Sequence, residues 1–209
     1  MKILDMGCGS GGFLELRDDR ISKGSWLAEF GGPWAFGVDV NPLYIKEAER
    51  SIRNGTSFSI ADARFLPFGD KYFTVIHESG ALHHMTDHEV ALKEMRRVLS
   101  DDGVLLMKES VDNDFIFACL RRLAGNWRGD NVESFFTSDV LIKSIENCGM
   151  IVTGREYYWR FYLSDWIVNS NLHEFKISMQ FSQWISKILK FFRLDRRCCS
   201  HVVITAIRA

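Results

Sequence analysis

Short apolar runs alternate with amphipathic segments along much of the chain. Residues 2–6, Lys2-Ile3-Leu4-Asp5-Met6, are mostly apolar and stop at glycines, which predicts a strand. Residues 35–40 predict a second strand, closed by Asn41-Pro42, where the proline suits the first turn of a helix. That helix carries Ile45, Ala48 and Ile52 at helical spacing and ends near Asn54-Gly55, a left-handed stop signal. Residues 57–60, 72–77 and 104–108 predict strands three to five. Between the last two, Val90, Leu92, Met95, Val98 and Leu99 give one buried face to a helix over about 87–99, with Asp87 as its cap. Residues 138–147 predict a helix ended by Gly149, 150–158 a sixth strand, and 201–207 a strongly β-prone last run.

Strands alternating with helices imply a parallel sheet covered on both faces, an α/β architecture. A length of 209 residues suits one domain with a substantial core, taken here as 1–209. The 26 basic and 27 acidic residues leave a net charge of −1, which removes any whole-protein electrostatic argument for nucleic acid. Cys8, Cys119, Cys148, Cys198 and Cys199 are odd in number and spaced for neither a zinc ribbon nor a disulfide framework, so reduced thiols are expected. The opening residues lack a leader pattern, and no apolar run approaches the roughly 20 residues that span a bilayer. The expectation is a cytoplasmic protein.

Candidate chemistry begins where the first strand runs into Gly7-Cys8-Gly9-Ser10-Gly11-Gly12. Glycine is needed where backbone approaches a ligand closely or takes a positive φ. Gly7, Gly9 and Gly12 also satisfy the dinucleotide spacing G-x-G-x-x-G, so the loop alone is ambiguous. A phosphate loop is excluded, because no G-K-[ST] follows.

Asp5-x-Gly7-x-Gly9-x-Gly11, with an acid two positions before the first glycine, resembles the first motif of the class I S-adenosylmethionine-dependent methyltransferases. A carboxylate there repels a diphosphate but tolerates a sulfonium, so charge favours this resemblance over a dinucleotide enzyme. Gly37-Val38-Asp39-Val40-Asn41 looks like the second family motif, and Ala61-Asp62-Ala63 falls where the family places an acid near adenine. Phe73 to Met85, containing His77-Glu78-Ser79-Gly80-Ala81-Leu82-His83-His84, and then Leu92 to Leu105 track the small-molecule, type 11 group that includes quinone-biosynthesis C-methyltransferases.

The resemblance implies a Rossmann-like, doubly wound seven-stranded sheet, mostly parallel with an antiparallel last strand, and S-adenosylmethionine as cofactor. It implies cofactor contacts at Asp5, Gly7, Cys8, Gly9, Gly11, Asp39, Val40, Asp62, Ala63 and Glu78. Three departures stand beside it. Asp39 follows Gly7 by 39 − 7 = 32 residues, against about 20 in dinucleotide folds. Thr74 replaces a frequent acid, and Asp101-Asp102-Gly103 replaces a Pro-Gly-Gly turn.

Two inserts, about 111–137 after strand five and 159–200 after strand six, are rich in aromatic residues and exceed ordinary loop lengths. They are read as helical lids over a bulky or apolar small-molecule, even lipid-linked, acceptor. Phe181, Trp184, Ile185, Ile188, Leu189 and Phe192 lie at helical spacing among Lys187, Lys190 and Arg193, so 181–197 is a candidate for peripheral membrane contact. Packing on the domain itself is the commoner outcome of such a helix.

If the acceptor must lose a proton, the candidates at the strand ends are His77, Glu78, Glu109 and His83 or His84; His83, Glu109 and Glu78 are taken as the candidate catalytic groups, His83 first. His77, His83, His84 and His88 lack a metalloprotease arrangement, and no metal is expected. A non-catalytic adenosylmethionine-binding or partner-binding protein fits the same motifs. An NAD(P)-dependent oxidoreductase fits the glycines but not Asp5 or the Leu-His-His element.

Overall fold

The chain is described by a computed structural model over residues 1–11, 34–50, 56–111, 113, 136–158, 183–199 and 201–209. Its strands are β1 (Lys2–Met6), β2 (Trp34–Asp39), β3 (Thr56–Ile60), β4 (Phe73–Ser79), β5 (Leu99–Ser110), β6 (Met150–Tyr158) and β7 (His201–Arg208). Its helices are α1 (Pro42–Arg50), α2 (His88–Val98), α3 (Ser138–Asn147), α4 (183–191) and the single turn α5 (Asp195–Cys198).

All seven strands join one sheet in the order β3-β2-β1-β4-β5-β7-β6. Pairings among β1 to β5 are parallel, and β7 runs antiparallel between β5 and β6. The expected seven-stranded, mostly parallel Rossmann-like sheet is therefore present. The central position of β1 buries both of its faces, Leu4 and Met6 on one and Ile3 and Asp5 on the other. The chain order leaves β1 flanked by β2 on one side and β4 on the other, so the strand order reverses at β1. That reversal opens a crevice beyond the carboxyl ends of the strands.

Leu92 and Met95 of α2 and Leu141 and Ile145 of α3 complete the core that begins with Leu4, Met6, Ile76 and Leu105 on the sheet. Phe36, Phe68 and Phe73 meet edge to face under the loop that follows β3.

Two local expectations are corrected. The fifth strand starts at Leu99, not at 104, because Leu99 is already extended (φ −74, ψ 131), is buried, and pairs with Phe73 before a register shift. The Ser100-Asp101-Asp102-Gly103 run looks like a turn in sequence but is absorbed by that irregularity. Asp87 does not cap α2 through its side chain; its carboxylate instead lies 3.5 Å from the Arg64 guanidinium. At α3 the capping is as the residue type predicts, with Thr137 Oγ1 accepting from the Val140 N–H.

Most of the two predicted inserts lies outside the described residues, including Phe115, Phe117, Trp127, Trp159, Phe161, Tyr162 and Trp166. The ends of the first insert are tied together: Val111 and Phe136 form a parallel bridge, and the Asn113 side chain bonds to Ser138 on both its atoms. No described helix is long and apolar enough to cross a membrane.

One ion network carries the fold into the crevice. Arg97 of α2 donates to both oxygens of Glu94, to Asp70, and to the carbonyls of Leu66 and Phe68, while Glu94 accepts the Leu66 N–H. Together they pin the 61–72 loop onto α2. Arg97→Ala is expected to lower the unfolding free energy by about 2 kcal/mol, the scale of a hydrogen-bonded charged group. Urea denaturation checks it, with an unchanged slope showing that the native fold survives.

Candidate functional site

β1 delivers the glycine loop to the crevice. Gly7 takes φ +68, and a Cβ there would lie 2.3 Å from the Ala81 Cβ, so no other residue fits without moving the facing turn. The Gly7 and Cys8 N–H groups both donate to the Val38 carbonyl, at 2.8 and 3.0 Å, which fastens the loop to the neighbouring strand. Gly9 takes φ +52, and a Cβ there would meet nothing within 4 Å, leaving its backbone open to the crevice.

Asp39 closes β2 and ties the two elements together. One carboxylate oxygen accepts the Gly9 N–H at 2.9 Å and the other accepts the Asn41 N–H at 2.8 Å. Each oxygen keeps a further acceptor position, and the group is thereby aimed before any ligand arrives.

Just after β3, Asp62 accepts the Arg64 N–H and forms a forked pair with the Arg64 guanidinium, with contacts from 2.7 to 3.1 Å. Arg64, through that hydrogen-bonded pair, holds the Asp62 carboxyl below the usual range.

Asp5 sits one step behind the loop. Its carboxyl is buried, with His77 Nδ1 at 2.7 Å from Oδ1, and no donor reaches Oδ2. Burial pushes its titration up, and the hydrogen bond from His77 opposes that shift. The Cys8 thiol is pushed up to about 12 by burial, then by the charges of Asp5 and Asp39, so it stays protonated and unreactive.

The opposite wall is the turn after β4, whose helical part is Leu82–His84. Glu78 Oε1 accepts the Ala81 and Leu82 N–H groups at 2.7 and 3.2 Å. Glu109, at the end of β5, accepts the Leu82 N–H at 2.8 Å and lies 2.7 Å from His83 Nδ1. Both glutamates are completely buried. Burial first, and then the neighbouring Glu109 charge, push the Glu78 carboxyl well above the ordinary range.

Between these walls lies a cleft of about 610 Å³, within the span of small-molecule and cofactor sites. Of the residues expected from sequence, Gly7, Gly9, Asp39, Val40, Asp62 and Ala63 line it. Asp5, Cys8, Gly11, Glu78, Glu109 and His83 stand behind the lining rather than in it.

Sequence reasoning missed Asn41, Tyr44, Arg64, Met85 and Thr86, which also line the cleft together with His84, named from sequence only as the alternative to His83. Tyr44 had a usable signal: it is a half-exposed aromatic on the first turn of the helix that starts beside Asp39. Between His83 and His84 the sequence left the choice open, and the turn geometry puts His84 in the lining. The four clustered histidines are directed to different places, with Asp5 beside His77, Glu109 beside His83 and Ser144 beside His88. No metal-holding group of three donors occurs among the described residues.

The lining fits a nucleoside carrying positive charge. Among its described residues the carboxylates of Asp39 and Asp62 face one guanidinium, Arg64, which is already committed to Asp62. Val40, Tyr44 and Met85 offer apolar surface for a base. Nothing in this set neutralises a diphosphate.

Comparison with known proteins agrees with that geometry. Residues 4–107 match the type 11 family described as "Methyltransferase domain". Over 115 residues the chain is 31% identical to the methyltransferase GfsG of Streptomyces halstedii, covering 53% of this chain and 38% of the relative. Over 110 residues it is 34% identical to the ubiquinone/menaquinone biosynthesis C-methyltransferase UbiE of Neisseria meningitidis, covering 52% of this chain and 42% of the relative. The chain thus spans about two-fifths of the length of these curated relatives. Among solved structures, an S-adenosylmethionine-dependent methyltransferase of Mesorhizobium loti matches with a TM-score of 0.65 at 16% identity, over 99% of this chain and 90% of that one. On fold, motifs and relatives together, the chain belongs to the class I S-adenosylmethionine-dependent methyltransferases of the type 11 group, whose family and fold imply S-adenosylmethionine as cofactor.

Proposed function

We propose that this chain catalyses methyl transfer from S-adenosylmethionine to a bulky, apolar small molecule, and that it does so at a membrane surface. The charge of the cleft carries the first part. Its carboxylates and single committed guanidinium suit a cationic nucleoside and oppose a dinucleotide.

In this reading Asp39 receives the ribose hydroxyls on the lone pairs its two backbone bonds leave over, and the Gly7–Gly9 backbone lies along the amino-acid end. Val40 and Tyr44 flank the base, beside Asp62 and Ala63. The bound cofactor supplies a methyl group on an already activated leaving group. The chain's own work is then to hold the acceptor in line and, where needed, to accept its proton.

His83, which stands behind the cofactor-side lining, is the candidate base for an acceptor that approaches from beyond that lining. With Nδ1–H donated to Glu109, Nε2 becomes the basic nitrogen, and Glu109 stabilises the imidazolium that proton uptake would form. Glu109 is thus a positioning residue.

The acceptor class rests on three supports. The inserts are aromatic in composition. The UbiE relatives named above carry quinone biosynthesis in their description. The described end of the second insert also presents Trp184, Phe191 and Phe192 to solvent, with Phe191 81% exposed, beside exposed Lys187, Lys190 and Arg193. Phe191 and Phe192, largely exposed among these cations, match an anionic lipid surface in both polarity and charge.

Calorimetric titration with S-adenosylmethionine, S-adenosylhomocysteine and NADH is the first test. The first two are expected to bind in the range of about 1 μM to 1 mM seen for enzyme substrates, and Asp39→Ala to abolish that binding; affinity for NADH instead would sink the reading. With an isoprenoid hydroquinone in detergent micelles as acceptor, His83→Ala is expected to slow S-adenosylhomocysteine release by about 10²–10⁴-fold while cofactor affinity holds. Equal loss of affinity would reduce His83 to a structural role.

Co-sedimentation with phosphatidylglycerol-containing vesicles addresses the membrane surface. Binding is expected, weakened by salt, weakened about fivefold per charge in Lys187→Gln and Lys190→Gln, and lost in Phe191→Ser/Phe192→Ser. Absence of binding, or a dimer in size-exclusion chromatography that the double serine variant dissolves, would overturn it.

A further inference from the structure

Behind the cleft, two buried carboxyl groups share one turn. Glu78, near the end of β4, and Glu109, at the end of β5, both reach the segment 81–83, and neither is exposed to solvent. Two glutamates that converge on the same Leu82 N–H in a buried site repel each other when both are charged, so the pair favours one neutral acid and one carboxylate.

The hydrogen-bond inventory decides which one holds the proton. Glu109 accepts the Leu82 N–H and its neighbour's Ser110 N–H, and His83 Nδ1 lies 2.7 Å away, where its N–H tautomer would donate to a carboxylate. That set stabilises a carboxylate. Glu78 receives its two donors on Oε1 alone, while Oε2 is buried and no donor among the described residues reaches it. Glu109 shares the Leu82 N–H with Glu78, at 2.8 and 3.2 Å, so its carboxyl lies alongside. An oxygen without a donor, beside an anion, is where a proton resides. Across the sheet the neighbours of Glu78 in register are Met6 on β1 and Met107 on β5, so no other titratable group faces it from those strands.

Resting on the methyltransferase reading of this site, we infer that Glu78 is a positioning residue that works as a neutral acid. Its carboxyl donates to Glu109 and its Oε1 accepts from the turn, so that the turn and His83 are locked against the glycine loop. The proton makes Glu78 both donor and acceptor, which neither a carboxylate nor an apolar side chain can be. It keeps the negative charge on Glu109, beside His83, where an imidazolium would need it. It also fixes Ala81, whose Cβ occupies the space that Gly7 leaves vacant. The turn wall of the cleft, including His84 and Met85, is thereby held at a set distance from Asp39.

The raised titration of Glu78 agrees in direction and gives a linkage. Stability from a raised acid is fully present below the ordinary glutamate value and is lost as pH rises through the raised one.

Glu78→Gln and Glu78→Ala separate the neutral-acid role from the alternatives. The glutamine amide can donate to Glu109 and accept from the turn, as the neutral acid does. Glu78→Gln is therefore expected to keep wild-type affinity for S-adenosylmethionine by calorimetry and to lose the alkaline fall in stability. Glu78→Ala strands the Ala81 N–H and is expected to weaken cofactor binding about tenfold. Infrared spectroscopy of the cofactor-free protein at neutral pH is expected to show a buried protonated carboxyl that Glu78→Gln removes. A Gln variant as damaged as the Ala variant, or no such carboxyl band, would overturn the inference. A wild type that binds no S-adenosylmethionine would instead sink the functional reading, while the infrared band and the pH dependence would still judge Glu78.

Discussion

A single carbon atom added at Gly7 would collide with Ala81 at 2.3 Å, and the geometry of the site depends on that tolerance. The first strand and the fourth lie side by side, and the chain leaving each of them must turn away over the same end of the sheet. The two turns can do so at close quarters only if one of them carries no side chain at the contact. The closeness is then fixed from below, by Glu78 and Glu109 holding the 81–83 backbone, and from the side, by Val38 receiving the Gly7 and Cys8 N–H groups. The cleft walls are therefore placed by backbone bonds to buried groups. A ligand entering it meets a surface already organised, which lowers the ordering cost of binding.

Acidity is the second organising feature. Asp5, Asp39, Glu78 and Glu109 all lie at or just behind the carboxyl ends of β1, β2, β4 and β5. Such a concentration is expensive unless each group is separately compensated. The compensation differs for every one of them: a histidine for Asp5, two backbone amides for Asp39, a proton for Glu78, and two backbone amides with a histidine for Glu109. With each rear group matched and the lining left negative, the arrangement keeps an electrostatic bias toward cations without piling up uncompensated buried charge.

Much of this was legible in the chain before any coordinates. The apolar runs and the glycine stops placed the strands, because central parallel strands are buried on both faces and cannot hide in a weak pattern. Asp39 and Asp62 stood out because strand ends announce themselves by the change from apolar to polar residues. Other parts were not legible. Asp87 has the type and position of a helix cap, yet its carboxylate turns toward Arg64, a choice made by a residue 23 positions away. Strand five begins at Leu99, ahead of two aspartates and a glycine that read as a turn, through a pairing with Phe73 that the local sequence does not reveal. Glu78 was expected at the cofactor and Glu109 as a catalytic group. Their placement beneath the turn depends on which way two strand-end side chains point once β4 proves longer than its apolar run. The substrate side of the crevice is the least legible part, because the aromatic inserts expected to build it fall outside the described residues.

The position of β7 has a consequence for the order in which the molecule can assemble. It lies between β5 and β6, antiparallel to both, although it is the last of the seven strands in sequence. During synthesis β6 therefore emerges with no partner to pair with, and β5 waits as an open edge of apolar, β-prone residues. Such an edge is a template for association with other chains. Only when residues 201–208 arrive do both strands gain a neighbour at once, and Arg208 then reaches the carbonyls of Arg96 and Leu99 at the end of α2. Two of the seven strands, β6 and β7, thus join the sheet in a single late event, which makes the time between the sixth strand and the seventh the interval in which the nascent chain is most exposed to aggregation.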